Sequence, residues 1–124
     1  MKIYYAHHLW KYGTPTEQYE LSLIKSIFPY AEIFNPSEDI PKGLQDDEAM
    51  KLCIDALSNC DALVFSDISG VIGKGVMEEI ETAVKSMKPV LRIRDNSIFV
   101  VDVGFEVINE SRRVYAIVRE GVAP

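Results

Sequence analysis

Short apolar runs alternate with amphipathic segments along this sequence, and that alternation constrains the fold more than any other feature. Residues 3–6, 32–34, 62–65 and 90–93 have the length and composition of buried strands. The segments between them carry apolar residues at three- and four-residue steps, which is the spacing of one helix face. Alternation of strand and helix predicts a parallel sheet with right-handed crossovers and helices on both faces.

Helix-start and helix-stop residues place three helices. Thr14, Pro15 and Glu17 combine an N-cap, a proline at the first helical position and the acid of a capping box. Pro29 ends that helix. A second helix begins at the acidic residues 46–48, whose charges suit a helix N-terminus. A third follows a glycine-containing loop, and the remainder of the chain holds two further strand-like runs, residues 99–103 and 114–118.

These elements predict one Rossmann-like or flavodoxin-like α/β domain over residues 1–124. We expect a mainly parallel, five-stranded sheet of order 2-1-3-4-5, with residues 114–118 as the outer strand. In sheets of this type ligands bind beyond the carboxyl ends of the strands. The loops at residues 7–13, 35–43 and 66–75 would meet there.

Composition and charge narrow the classes of partner. Apolar residues make up 48% and charged residues 26% of the 124 residues, as in ordinary globular domains. The net charge of −6 argues against nucleic acid or an anionic membrane as the main partner, because both favour clustered Lys and Arg.

The N-terminus lacks the pattern of a signal peptide, so we expect a cytoplasmic protein. Cys53 and Cys60 lack the spacing of a zinc site or a disulfide framework and are expected to be small buried residues. We expect no metal and no cofactor.

The glycine-containing loop before the third helix is the strongest local signal of a ligand site. Gly73, Lys74 and Gly75 lead into a helix whose first N–H groups, together with the Lys74 charge, could bind an anion. The spacing is not that of a P-loop. The alternative is a flexible connection between strand and helix. We expect Gly73, Lys74 and Gly75, together with Asp67 and Ser69, to contact a substrate.

Glu79 is the most informative candidate residue. Its position relative to Val76 and Ala83 places it on the inner side of the third helix, whereas Glu78 and Glu81 should face solvent. A carboxylate among apolar neighbours at a ligand-binding edge is unfavourable unless it has a partner or a function. The alternative is a first-turn acid that complements the helix dipole.

Two adjacent histidines follow the first strand. Successive side chains on an extended segment point to opposite sides, so at most one of His7 and His8 should face the ligand edge. We expect His7 to contact the substrate. A histidine there would act as a general acid or serve only as a structural hydrogen-bonding partner. Trp10 and Tyr12 would either stack on a base or cover the edge of the core.

Residues 60–91 carry a more specific pattern. It consists of an Asp-Ala strand start, a glycine-containing loop, a Glu followed by Ile, an Ala four residues after that Glu, and a Lys-Pro-Val strand: Asp61, Ala62, Gly73, Gly75, Glu79, Ile80, Ala83, Lys88, Pro89 and Val90. The pattern resembles the nucleoside 2-deoxyribosyltransferase family and its hydrolytic relatives, the deoxynucleoside 5′-monophosphate N-glycosidases. Residues 3–6 also resemble the first strand of that family.

The resemblance implies cleavage or transfer of the N-glycosidic bond of a nucleoside or nucleoside 5′-monophosphate, with Glu79 as the nucleophile. It also implies that Tyr4 or Tyr5 lies near the sugar, that residues 69–75 bind phosphate, and that the protein is a homodimer or higher homo-oligomer. The positions of the family's Arg-Asp or Asn-Asp pair hold Leu52 and Cys53. The alternatives are a non-catalytic nucleotide-binding module and a Rossmann-like structural or regulatory protein.

Overall fold

The computed structural model describes residues 1–109 and 112–122, and the side chains of residues 1–102. Within the described residues, one sheet contains six strands: β1 (Lys2–Ala6), β2 (Glu32–Phe34), β3 (Ala62–Phe65), β4 (Val90–Arg94), β5 (Ser97–Asn109) and β6 (Arg112–Val122). The helices between the strands are α1 (Pro15–Ile27), α2 (Pro36–Asp39), α3 (Asp46–Ser58) and α4 (Lys74–Lys85), and a 3-10 turn covers Leu9–Lys11.

The order of the strands is β2-β1-β3-β4-β5-β6, which confirms the predicted order of the first five. β1 pairs in parallel with β2 and β3, and β3 pairs in parallel with β4. The expectation of a mainly parallel sheet is wrong, because β5 runs antiparallel to β4 and β6 runs antiparallel to β5. The sheet is therefore mixed. Residues 114–118 lie in β6, at the edge of the sheet.

The change from parallel to antiparallel pairing has a local cause. Asp95 and Asn96 connect β4 to β5, and both have a positive φ, 51° and 61°. Two-residue hairpin turns of type I′ require a positive φ at both central residues, which Asp and Asn tolerate better than most residues. A parallel crossover needs about a dozen residues or more. β5 must therefore return alongside β4 in the opposite direction.

Helices cover both faces of the sheet, as predicted. Leu21 and Ile24 of α1 pack on one face, against side chains that include Ile3 and Tyr5. α3 and α4 pack on the other face, against side chains that include Tyr4. Because successive side chains of a strand point to opposite faces, Tyr4 and Tyr5 are separated by the sheet.

The start of α1 follows the predicted capping pattern in part. The Thr14 hydroxyl accepts a hydrogen bond from the Glu17 N–H at 3.3 Å. The Glu17 carboxylate accepts from the N–H of Gly13 at 3.1 Å, one residue before the position that a capping box would use. Glu17 and Glu20 are both buried on α1. This helix therefore has a more polar inner face than its apolar spacing indicates.

The sequence predicts a loop over residues 35–43, between β2 and α3. In the structure this segment begins with the short helix α2. The Asn35 side chain caps α2 by accepting from the Ser37 N–H at 3.0 Å. α3 then begins at Asp46, as expected. Among the residues that the structure describes, no helix has both the length and the apolar character needed to cross a membrane.

Candidate functional site

Two adjoining cavities lie where the carboxyl end of β1 meets the N-terminal turns of α3 and α4. The larger has a volume of about 660 Å³, and the smaller about 120 Å³. Leu9, Lys74 and Gly75 line both, so the two cavities adjoin, and we refer to them together as the recess. The recess lies at the sheet edge where ligands bind in α/β folds.

Glu79 is the buried carboxyl of the smaller cavity. α4 carries it on its inner side, as its helical position predicts, and only 5% of the residue is exposed. The fully buried Tyr4 hydroxyl donates a hydrogen bond to Oε2 of Glu79. Among the described side chains, no Lys, Arg or His lies within ion-pair distance of Glu79. The structure thus brings together the predicted residues Tyr4 and Glu79 without a compensating cation from this set.

This environment changes the titration of both groups. Burial raises the pKa of Glu79 to about 8; the hydrogen bond from Tyr4 lowers it, and the charge of Glu78 raises it. Burial and the nearby Glu79 charge also raise the pKa of Tyr4 far above its ordinary value. The hydroxyl therefore stays protonated as a donor, while the carboxyl changes its charge just above neutral pH.

Cys53 and Tyr12 lie within electrostatic range of Glu79. Burial raises the pKa of the Cys53 thiol; a hydrogen bond with Tyr4 opposes this, and the Glu79 charge adds to it. Burial and then the Glu79 charge raise the pKa of Tyr12. Cys53 also lines the larger cavity. The position at which the resemblance calls for an Asp therefore does face the recess, but it holds a thiol.

Both histidines line the smaller cavity, but the ring of His7 stacks on that of Tyr5, with centroids 3.8 Å apart, and so lies on the α1 face of the sheet. The alternation of side chains along β1 thus extends to His7, whereas the ring of His8 lies beside Gly73. His7 is already engaged at both ring nitrogens. Its Nδ1 lies 3.2 Å from the Tyr5 carbonyl oxygen, and its Nε2 lies 2.7 Å from Oε2 of Glu17.

His8 has a different environment. Its Nδ1 accepts the backbone N–H of Trp10 at 3.0 Å, and its Nε2 lies beside Gly73. A neutral ring that accepts at Nδ1 carries its proton on Nε2. His8 therefore presents an N–H at the smaller cavity. Among the described side chains, no group of three or more His, Cys, Asp or Glu residues is arranged to hold a metal ion.

The glycine-containing loop reaches the recess only with its last three residues. Gly73 is the N-cap of α4, and Lys74 and Gly75 are its first residues. A Cβ on Gly73 would lie 2.9 Å from Cδ2 of His8, and one on Gly75 would lie 3.1 Å from Cε of Met50. Glycine at these positions therefore allows the start of α4 to lie close to His8 and to α3.

Other predicted substrate contacts lie away from the two cavities. Asp67 forms an ion pair with Arg92 at 2.8 Å. Ser69 is exposed with a positive φ of 51°, and it lines neither cavity. Tyr5 belongs to the opposite face of the sheet, where its hydroxyl donates to Oε1 of Glu20 at 2.5 Å.

Glu20 lies in a buried polar network that sequence reasoning missed. Its Oε1 also accepts from the Ser66 hydroxyl at 2.7 Å, and its Oε2 accepts from Nζ of Lys11 at 3.0 Å. Nζ of Lys11 donates in addition to Ser66 Oγ at 2.8 Å and to the Asp67 carbonyl at 2.9 Å. The carboxylate and the ammonium group are therefore both satisfied inside the protein.

Glu17 is the second carboxylate on this face. Burial alone would raise its pKa, but hydrogen bonds from His7, the Gly13 N–H and the Ser37 hydroxyl together lower it. A sequence signal for this face existed, because Glu17 and Glu20 share one helix face with apolar residues of α1. Lys11 carried no such signal, since its partners Glu20 and Ser66 lie nine and 55 residues away.

No protein-family model matches the sequence, and a comparison with curated proteins finds no significant match.

Proposed function

We propose that the recess cleaves or transfers the N-glycosidic bond of a nucleoside or nucleoside 5′-monophosphate, with Glu79 as the nucleophile. One observation carries the proposal: a buried carboxyl lines a cavity, accepts one tyrosine hydroxyl and has no cation partner among the described side chains. Such a carboxyl is unfavourable for the fold, which favours a function for it. The resemblance independently selects the same residue.

In the proposed reaction the ionised carboxylate of Glu79 forms and then releases an ester with the sugar. Ionised Glu79 attacks C1′ of the deoxyribose, and the C1′–N bond breaks as its electron pair leaves with the base. The base nitrogen takes up a proton, and an ester joins C1′ to the Glu79 oxygen. Water or the nitrogen of a second base then attacks C1′ and releases the carboxylate. Water gives hydrolysis, and a second base gives transfer.

Tyr4 acts as a positioning residue in this scheme. Its hydroxyl bonds to Oε2 of Glu79 and so leaves Oε1 to react with C1′. The same bond favours the ionised carboxylate, because it lowers the pKa of Glu79 against the effect of burial. Tyr4 therefore supports the nucleophile without itself changing charge.

His8 donates a hydrogen bond from Nε2–H to the leaving base. Its Nε2–H faces the smaller cavity, whereas both nitrogens of His7 are engaged elsewhere. Because Nδ1 of His8 accepts the Trp10 N–H, the ring keeps its Nε2 proton, and the nitrogen of the leaving base takes up its proton from water. In this role His8 takes over from the Asp of the family pattern, whose position holds Cys53. The N–H groups at the start of α4 and the Lys74 ammonium then hold the sugar or its 5′-phosphate.

The test is Glu79→Gln, with release of free base followed by HPLC. Gln keeps the shape and the hydrogen bond from Tyr4 but cannot form the ester, so we expect a loss of about 1000-fold or more in rate. Glu81→Gln is the matched control on the same helix and should retain wild-type turnover. Glu78 is unsuitable as a control because it lines the larger cavity.

Two outcomes would contradict the proposed catalytic function. If Glu79→Gln keeps wild-type turnover, Glu79 is not the nucleophile. If the wild type binds nucleosides but releases base from none of them, the protein is a non-catalytic nucleotide-binding module.

A further inference from the structure

The reaction at Glu79 does not account for the larger cavity. Its volume of about 660 Å³ falls within the range of small-molecule sites, about 300–1,000 Å³. It shares the lining residues Leu9, Lys74 and Gly75 with the smaller cavity. We therefore expect a nucleoside with C1′ at Glu79 to extend either its base or its 5′ end into the larger cavity.

The apolar side chains of the larger cavity favour the base. Leu9, Met50 and Cys53 line it, and Met50 presents a flexible thioether. Heterocyclic rings gain from contact with such side chains, and methionine sulfur interacts favourably with aromatic rings. A phosphate group gains nothing from apolar contact and loses hydration. The base is therefore the better occupant.

The charged side chains of the larger cavity are mainly acidic. Asp46 and Asp47 from α3 and Glu78 from α4 contribute three carboxylates, against the single ammonium group of Lys74. Ionised carboxylates only accept hydrogen bonds. The positive ends of α3 and α4 face the same space and favour the negative charge of these side chains. A base in this cavity therefore meets several hydrogen-bond acceptors, although Oδ1 of Asp47 also accepts the Glu48 N–H at 3.0 Å.

We propose that Asp46 and Asp47 select nucleosides by the exocyclic amine of the base, so that cytosine and adenine are preferred to uracil and hypoxanthine. This specificity rests on the proposed function at Glu79. An exocyclic amine donates to a carboxylate, as the N4 amine of cytosine does in DNA recognition. The carbonyl oxygen of an oxo base in the same place meets the carboxylates acceptor to acceptor, and no hydrogen bond forms between them.

The closing experiment measures binding without turnover. Glu79→Gln is titrated calorimetrically with two matched pairs that differ by amine against oxo: 2′-deoxycytidine with 2′-deoxyuridine, and 2′-deoxyadenosine with 2′-deoxyinosine. We expect the amine member of each pair to bind about tenfold tighter or more. Adding Asp46→Asn and Asp47→Asn should reduce each ratio to about threefold or less, because the amides also offer donors to the oxo bases. Asp55→Asn lies on the exposed side of α3, outside the cavity lining, and should leave both ratios unchanged.

The outcomes separate this specificity from the reaction. Equal affinity within both pairs overturns recognition of the amine but leaves Glu79 as the nucleophile. A preference that survives the Asp46 and Asp47 substitutions overturns their role. Failure of the folded protein to bind any of the four nucleosides or their 5′-monophosphates overturns both the specificity and the proposed function. A second readout leaves Glu79 intact. It compares the ratios of kcat/KM for the same pairs in the wild type and in a variant that carries only Asp46→Asn and Asp47→Asn.

Discussion

The two faces of the sheet bury carboxyl groups in opposite ways. On the α1 face, Glu20 accepts from Tyr5, Ser66 and the ammonium group of Lys11. On the α4 face, the described contacts give Glu79 one hydroxyl donor, no ion-pair partner, and a cavity. A buried carboxylate surrounded by donors stabilises a fold, whereas one with a single donor beside open space raises the energy of the fold and is available for chemistry. The number and charge of the partners therefore distinguish the two faces better than burial does.

The largest stability effect is expected on the α1 face. Lys11→Met removes the ammonium group that pairs with Glu20 and donates to Ser66, so a buried carboxylate loses its counter-charge. Loss of one partner of a buried ion pair destabilises proteins by about 3–5 kcal/mol. Urea denaturation at neutral pH measures the change, with the exposed Lys51→Met as the control. A loss no larger than that of the control would remove the distinction between the faces.

The pH dependence of stability should have opposite signs for the two kinds of carboxyl. The folded-state pKa of Glu79 is about 8 against an ordinary value of 4.5, so the folded state binds more protons between those values. The wild type should therefore lose stability relative to Glu79→Gln as pH rises from about 4.5 to 8, with no further loss above that.

The pKa of Glu17 lies below its ordinary value of 4.5, so its sign is reversed. Its contribution is fully present above about 4.5 and is lost as pH falls through the folded-state pKa. Glu17→Gln should thus be most destabilising at neutral pH and progressively less so in acid. Urea titrations of the three proteins between about pH 2 and pH 9 test both signs. Parallel stability curves for wild type and Glu79→Gln would show that Glu79 titrates as an ordinary exposed carboxyl.

A smaller effect separates the two tyrosines. Tyr4→Phe removes the donor to Glu79, so the pKa of Glu79 should rise above about 8 and the ascending limb of the pH–rate profile should move to higher pH. The rate at neutral pH should fall by about 10- to 100-fold. Tyr5→Phe is the matched control, because its hydroxyl bonds to Glu20 on the other face. It should lower stability by about 1 kcal/mol and leave the pH of half-maximal rate unchanged. Equal shifts in both variants would contradict the separation of the faces.

Local signals predicted the parts of the fold that depend on local chemistry. The apolar run at residues 62–65 is β3, and the Thr14 cap starts α1. The antiparallel return of β5 was missed although its turn residues, Asp95 and Asn96, stood in the sequence. The expectation was based on the alternation of strand and helix. Instead, these two residues at positive φ form a tight turn that reverses the direction of the chain.

The candidate site was predictable only where helix periodicity determines position. The inner position of Glu79 follows from its spacing to Val76, and the structure agrees. Asp46 and Asp47 looked like helix-start residues, and their place on the larger cavity depends on how α3 packs against α4. The side chains of Lys11 and Glu20 meet through the fold, so no local pattern marks them as partners.

The most direct test of the central claim is to trap the sugar on the protein. The 2′-fluoro-arabinosyl analogue of 2′-deoxycytidine slows both steps at C1′, because the fluorine destabilises the oxocarbenium-like transition state and lets the ester accumulate. Mass spectrometry of the intact protein and of its peptides should then locate one fluoro-pentosyl group on Glu79 in the wild type and none in Glu79→Gln. An adduct on Glu17 or Glu20, or release of base with no adduct at Glu79, would contradict the account.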